Sequence, residues 1–181
     1  VSSQSVTDYV AEGYCHVCIG GNVFRSRLIK EHSIRFDEEI ALAEDQLFVM
    51  THLGNASRAR RIADILYIYR ENDSSASNTP SSDKLLISYN KLLDFKKDND
   101  IFSEIVDVTL VSHMYILILL GNVPLKELET LYNKSAISSK VIASDKGSRG
   151  TIIFKRIMGC SNFRISSVLV RIIKRIHDAI S

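Results

Sequence analysis

The chain has 181 residues, of which 45% are hydrophobic and 24% charged, with two prolines and eight glycines. That length fits one domain with an appended segment and buries a core without staples, and the composition excludes collagenous, low-complexity and globally disordered chains. Lys plus Arg number 23 against 21 Asp plus Glu, a formal charge of +2 that demands neither nucleic acid nor a polyanion, and three cysteines cannot all pair, which favours a reducing compartment.

The chain opens on a polar run, Val1 to Ser5, with no initiator Met and no basic-apolar-small leader pattern, so it reads as a piece of something longer. Cys15 to Phe24 is apolar and β-prone around Gly20-Gly21, which predicts a strand with a close backbone approach. Within it, Cys15-His16-Val17-Cys18 has C-x-x-C spacing, but a structural zinc needs four ligands and Cys160 stands apart. A strand would send Cys15 and Cys18 to opposite faces, so both read as packing residues rather than metal or redox groups. Ser26 to His32 predicts a short helix, Phe36-Asp37-Glu38-Glu39 an acidic turn, and Leu42 to Leu53 a helix stopped by Gly54. Ala59 to Tyr69 holds two short β-like runs, Ile65 to Tyr69 the stronger, and Asn72 to Ser82 is a Ser/Asn-rich loop.

Beyond that loop the periodicity is helical. Asp83 to Lys97 places Leu85, Tyr89, Leu92 and Leu93 on one face; Ile101 to Leu120 follows, closed by Gly121-Asn122; Pro124 suits the first turn of a third helix with Leu125, Leu128 and Leu131 inward. Val108 to Leu120 is the most apolar stretch, interrupted by Thr109, Ser112 and His113 and shorter than the ~20 residues that span a bilayer, so it reads as a buried helix with His113 a satisfied core residue.

Charge divides the chain. Lys146 to Ser181 carries eight basic residues and one acid, while Val1 to Asp145 is net −5, with a flexible connector expected over Ser144 to Gly150. From Arg164, apolar residues at 165, 168, 169, 172, 173, 176 and 180 form a helical stripe from which Val170 is excluded, with Arg164, Arg171, Lys174 and Arg175 mostly on the other face. Such a basic amphipathic helix either packs its stripe on the preceding helices or lies in a membrane interface; nucleic-acid binding has no motif to support it.

The chemistry-bearing feature is the acidic pair Glu44-Asp45 at the start of an apolar helix. A carboxylate there sits at the favourable end of the helix dipole, and in a cleft it can act as a base toward a hydroxyl; taken alone, the pair reads first as a capping acid. Its surroundings extend the pattern. Gly20-Gly21-Asn22-Val23-Phe24-Arg25-Ser26-Arg27-Leu28-Ile29, then Phe36-Asp37-Glu38, then Glu44-Asp45-Gln46-Leu47-Phe48, then Leu66-Tyr67-Ile68-Tyr69-Arg70 and the loop from Asn72 to Asn78 together resemble the second half of family-2 glycosyltransferases of GT-A fold. The resemblance covers about a third of the chain.

The resemblance implies a mixed α/β, mostly helical fragment: residues 1–82 the acceptor side of a GT-A domain, 83–145 a helical extension, 146–181 a basic amphipathic segment. It implies inverting transfer of a sugar from a nucleotide-sugar to an acceptor hydroxyl on a glycan or lipid-linked acceptor, in the cytoplasm or at the inner face of the membrane, in cell-surface polysaccharide or lipopolysaccharide synthesis. Asp45 takes the role of general base and Glu44 positions the acceptor or the base. Arg25 and Arg70 either approach the donor diphosphate or buttress the site by pairing with Asp37, Glu38 or Glu39; Asn22 lines the acceptor cleft or shapes a turn. The family's divalent metal, Mg or Mn, is expected on an Asp-x-Asp motif outside this chain. Asp98-Asn99-Asp100 follows Lys96-Lys97 at a helix end and reads as a solvated turn, and with neither a Gln-x-x-Arg-Trp signature nor any Trp a processive synthase is not expected. The chain alone is expected to be inactive. A non-catalytic helical module docking on a membrane or partner is the competing reading.

Overall fold

A computed structural model describes residues 3–15, 17–40, 42–64, 67–68 and 81–180, with side chains through residue 175. These residues are mostly helical, with one short two-stranded antiparallel ladder in which β1 (Gln4–Ser5) pairs with β2 (Arg58–Ala59), Gln4 opposite Ala59 and Ser5 opposite Arg58. The chain divides into two compact units, one of residues 1–80 and 90–102, the other of residues 81–89 and 103–181.

In the first unit, Ser5 leaves the ladder and caps α1 (Val6–Ala11) by accepting from the Asp8 amide, which turns Val6 and Tyr9 inward. The expected strand over 15–24 is not formed. Apart from residue 16, which lies outside the described residues, the segment is irregular: Gly21 takes φ +80°, and the Asn22 amide closes a turn on the Ile19 carbonyl. With no neighbouring strand to complete a ladder, β-branched composition alone does not make one. Cys15 and Cys18 are both half-buried free thiols, and burial pushes the Cys15 thiol up to about 11, as suits a packing residue.

The short helix appears as α2 (Ser26–Glu31) and the apolar helix as α3 (Glu44–Gly54). Of the two β-like runs over 59–69, the first supplies only β2; residues 65, 66 and 69 lie outside the described set, and 67–68 are not in a strand. The 3₁₀ turn Asp100–Phe102 packs on α1 and drives the fully buried Phe102 ring against Phe95, centroids 6.0 Å apart. The Asp98-Asn99-Asp100 string joins the end of the preceding helix at Asp98 to that turn, with the Asn99 side-chain amide donating to the Phe95 carbonyl.

Helix α4 (Ser82–Asp98) has the expected face: Leu85, Tyr89, Leu92 and Leu93 are all buried, its first half belonging to the second unit and its second half to the first. The second unit is built around α5 (Ser103–Leu120), against which α6 (Leu125–Ser135), α7 (Ser139–Ile142), α8 (Arg149–Cys160) and α9 (Phe163–Ile180) pack. With the preceding 3₁₀ turn, α5 makes a 21-residue apolar run that passes for a membrane span by length and composition. Its role here is that of a core helix: Val106, Leu110, Val111, Met114, Leu117 and Ile118 are buried together with Asp107 and His113. Pro124 stands one residue before α6 rather than inside its first turn, its carbonyl accepting from Glu127 and Leu128.

Polar groups fasten this core at its margins. Asp107 accepts from the Ser138 amide at 2.9 Å, and the buried Tyr89 hydroxyl lies 2.6 Å from Ser135 Oγ. Lys155, 1% exposed, donates to the Val141 carbonyl, Ser144 Oγ and the Lys146 carbonyl at 2.7–3.1 Å. Glu104 bridges Lys140 and Lys146, whose ammonium groups hold its carboxyl down to about 2. The connector at 144–150 is thus gripped rather than loose.

His113 is buried as expected, but its Nδ1 finds no partner among the described residues, and burial holds the ring down to about 4. Between its ordinary 6.5 and that value the unfolded chain takes up a proton that the folded chain does not, so stability falls as pH falls through the window. Thermal melts should therefore show a smaller loss of Tm on acidification from neutral pH toward that lower value in His113→Leu than in wild type.

Candidate functional site

The N-cap residue of α3, Ala43, has no side chain to cap the helix. Ala43 takes the left-handed φ of +65°, a conformation that costs a residue with a Cβ on the order of 1 kcal/mol, and its carbonyl accepts the first helical bond from Leu47. Glu44 and Asp45 follow at once, both half-buried. Asp45 Oδ1 accepts from the Gln46 amide at 2.7 Å, while Oδ2 takes no hydrogen bond among the described residues. The carboxylate therefore does a capping acid's work with one oxygen and keeps the other available.

Three phenylalanines hold this helix. Phe36 stacks on Phe48 with centroids 4.4 Å apart and planes 7° from parallel; Phe24 meets Phe48 edge-on at 5.3 Å and His52 at 5.1 Å. Each ring comes from a different motif: Phe24 precedes Arg25, Phe36 opens the acidic turn, and Phe48 lies three residues after Asp45. The sequence shows a Phe in three of the five strings that carry the resemblance, but nothing in their spacing shows that the rings meet. Gly20 contributes to the same neighbourhood, since a Cβ there would fall 2.6 Å from the Tyr67 ring; the close approach expected at this glycine is to an aromatic side chain.

A cleft of about 230 Å³ opens beside this cluster, lined by Tyr9, Asn22, Arg25, His52, Arg58 and Arg60 among others and by no carboxylate. Asn22 and Arg25 are thus brought to one cavity, and Asn22 also makes the turn contact foreseen as its alternative role, its side-chain amide donating to the Cys18 carbonyl. Glu44 and Asp45 are not in the lining. On an α-helix, however, positions 45, 49 and 52 share a face, and Val49 and His52 both line the cleft, so Asp45 stands on the stripe that enters it, about 6 Å along the axis before Val49. His52, Arg58 and Arg60 were not singled out from sequence; His52 is fixed by its ring contact and by Nε2 lying 3.5 Å from the Arg25 carbonyl.

Two of the three acids expected to pair with Arg25, Asp37 and Glu39, are otherwise engaged. Lys91 binds both Asp37 at 3.0 Å and Glu39 at 2.8 Å, which lowers the Asp37 carboxyl below its ordinary range and raises the lysine to about 12. Arg25 and Arg60 are exposed and carry no ion pair among the described residues, whereas Arg58 donates to Ser3. Arg70 lies outside the described residues. The described His, Cys, Asp and Glu side chains form no group of three or more that could hold a metal ion, so they do not fit the divalent cation of the resemblance. What the arrangement offers chemically is a carboxylate oxygen on a helix face that leads into a cleft rich in guanidinium groups.

Comparison with known proteins agrees with part of this reading. Over 58 residues, 32% of its length, the chain is 36% identical to the uncharacterized glycosyltransferase EpsJ of Bacillus subtilis, of which the match covers 17%. Over 47 residues, 26% of its length, it is 43% identical to the poly(ribitol-phosphate) beta-N-acetylglucosaminyltransferase TarS of Staphylococcus aureus, covering 8% of that protein. The match spans well under a fifth of either relative. No protein-family model matches the chain, and no solved structure matches it. A part of the chain is therefore related in sequence to family-2 glycosyltransferases.

The ring cluster gives a direct prediction. Phe48 is 7% exposed and Phe36 46%. Urea unfolding should show Phe48→Ala costing ~3–5 kcal/mol and Phe36→Ala only the ~0.5–1.5 kcal/mol of a ring pair.

Proposed function

We propose that this chain supplies the acceptor side of an inverting family-2 glycosyltransferase, with residues 1–82 forming that side, 83–145 a helical extension and 146–181 a basic segment. The observation that carries the proposal is the helix face shared by Asp45, Val49 and His52, which runs from a half-buried carboxylate into a cleft lined by Asn22 and Arg25. An acceptor hydroxyl placed at the head of α3 gives its proton to Asp45 Oδ2. Its oxygen bonds to the anomeric carbon of the donor sugar from the face opposite the leaving group. The bond from that carbon to the diphosphate oxygen breaks, and the nucleoside diphosphate departs with the electron pair. Glu44 orients the acceptor beside the base.

The free guanidinium groups of Arg25 and Arg60 match phosphate oxygens in two-point geometry, which suits a donor diphosphate or an anionic acceptor; Arg70 holds the same place in the proposal. The donor is a nucleotide-sugar, the acceptor a glycan or a lipid-linked glycan, and the product a cell-surface polysaccharide or lipopolysaccharide. Three free thiols suit the cytoplasm. A divalent metal in the complete enzyme would be held by residues other than those described here. The competing reading, a non-catalytic helical module, draws on the capping bond that Asp45 accepts from the Gln46 amide, which needs no substrate.

The two separate in the protein that carries this chain in full. Asp45→Asn should lower kcat for sugar transfer by ~10²–10⁴-fold, the range for loss of a general base, and leave the donor Kd within about twofold. Transfer at the wild-type rate would leave Asp45 a capping residue and favour the module.

A further inference from the structure

Helix α9 buries a different face from the one its apolar periodicity marks. Phe163, Ser166, Ser167 and Val170 are 0–5% exposed, and the two serines satisfy their hydroxyls on the Asn162 and Phe163 carbonyls. Val170, the residue off the stripe, is the one that packs. The stripe itself stays open: Ile165, Val168, Leu169, Ile172 and Ile173 are 41–52% exposed. At 100° per residue these five fall within an arc of about 140°. Ile153 of α8, 45% exposed, extends the patch, since it and Ile173 line one groove of about 350 Å³ with Leu119 and Tyr115. Soluble chains seldom leave so contiguous an aliphatic surface without a use for it.

Charge selects the occupant. Residues 146–175 carry eight Lys and Arg and no acid. On α9, Arg164, Arg171 and Arg175 fall along the edge adjoining Val168 and Ile172; Arg164 binds Glu129 and Arg171 donates to the Ile118 carbonyl, while Arg175 is exposed. A second copy of this face laid against the first would bring these cations together. A bilayer carrying anionic headgroups meets both demands, taking the aliphatic stripe at the acyl boundary and the bases at the phosphates.

We propose that the α8–α9 face lies flat on an anionic membrane surface, seated by Ile165, Val168, Leu169, Ile172 and Ile173 and held in place by the exposed Arg164 and Arg175. This does not depend on the sugar-transfer reading, because no residue of the α3 cleft takes part.

Vesicle flotation of the purified chain tests it. With phosphatidylcholine vesicles containing phosphatidylglycerol the chain should float, and with phosphatidylcholine alone it should stay behind. Affinity should fall with added salt, about fivefold in Arg175→Gln, and tenfold or more in Ile172→Asp and in Leu169→Asp. Ile87→Asp, an exposed aliphatic on α4, should bind as wild type. Equal flotation on both vesicles, no flotation on either, or wild-type binding by Ile172→Asp and Leu169→Asp would overturn the proposal. So would a dimer in sedimentation velocity that Ile172→Asp dissolves, which would assign the face to a second copy.

Discussion

The first unit depends on the packing of Phe48. Its ring is the common partner of Phe24 and Phe36, so one buried side chain ties two separate segments to α3. Burying such a ring is worth ~1.5–3 kcal/mol by transfer, and each well-placed ring pair adds ~0.5–1.5 kcal/mol. Those energies are large compared with the cost of the left-handed Ala43, which explains how a helix whose N-cap residue offers no capping side chain begins where it does. The same packing determines where Asp45 sits, because the carboxylate is less than one turn from the clamped ring. A site placed this way inherits its precision from a rigid helix rather than from a loop.

The second unit is held by a different device. Its helices enclose an apolar core around α5, but the ends of that core are secured by buried polar groups whose partners are carbonyls and amides of the connecting segments. Lys155 is the clearest case: desolvation pushes its amine below the usual range, and three oxygen acceptors offset the loss of water. Asp107 does the corresponding job for the start of α7. These contacts tether the basic segment to the core, and they leave α9 free to spend a narrow face of Phe163, two serines and Val170 on packing while its broad aliphatic face remains available.

Much of this was legible from sequence where periodicity is long. The faces of α4 and α5, the acid pair at the head of α3 and the glycine near its stop follow from the spacing of apolar residues and from local terminators. What was not legible is pairwise. The segment 15–24 has strand-like composition, but a strand exists only where a partner supplies hydrogen bonds, and here β2 pairs with the polar Gln4–Ser5 instead. The lining of the cleft by His52, Arg58 and Arg60 needs the chain to turn back past β2, which no local pattern encodes. The α9 stripe shows the converse: periodicity located the apolar face correctly and could not say what it meets, because Ser166 and Ser167 bury themselves by bonding their own helix.

On the proposed function, an acceptor hydroxyl loses its proton at the head of α3. The most direct test is a crystal structure of the protein carrying this chain in full, with a non-transferable nucleotide-sugar analogue and its acceptor bound. The reacting acceptor oxygen should lie within hydrogen-bond reach of Asp45 Oδ2, about 2.6–3.2 Å, with the acceptor along the Val49 and His52 face past Arg25. An acceptor oxygen held by another carboxylate, with Asp45 still bonded only to the Gln46 amide, would contradict it.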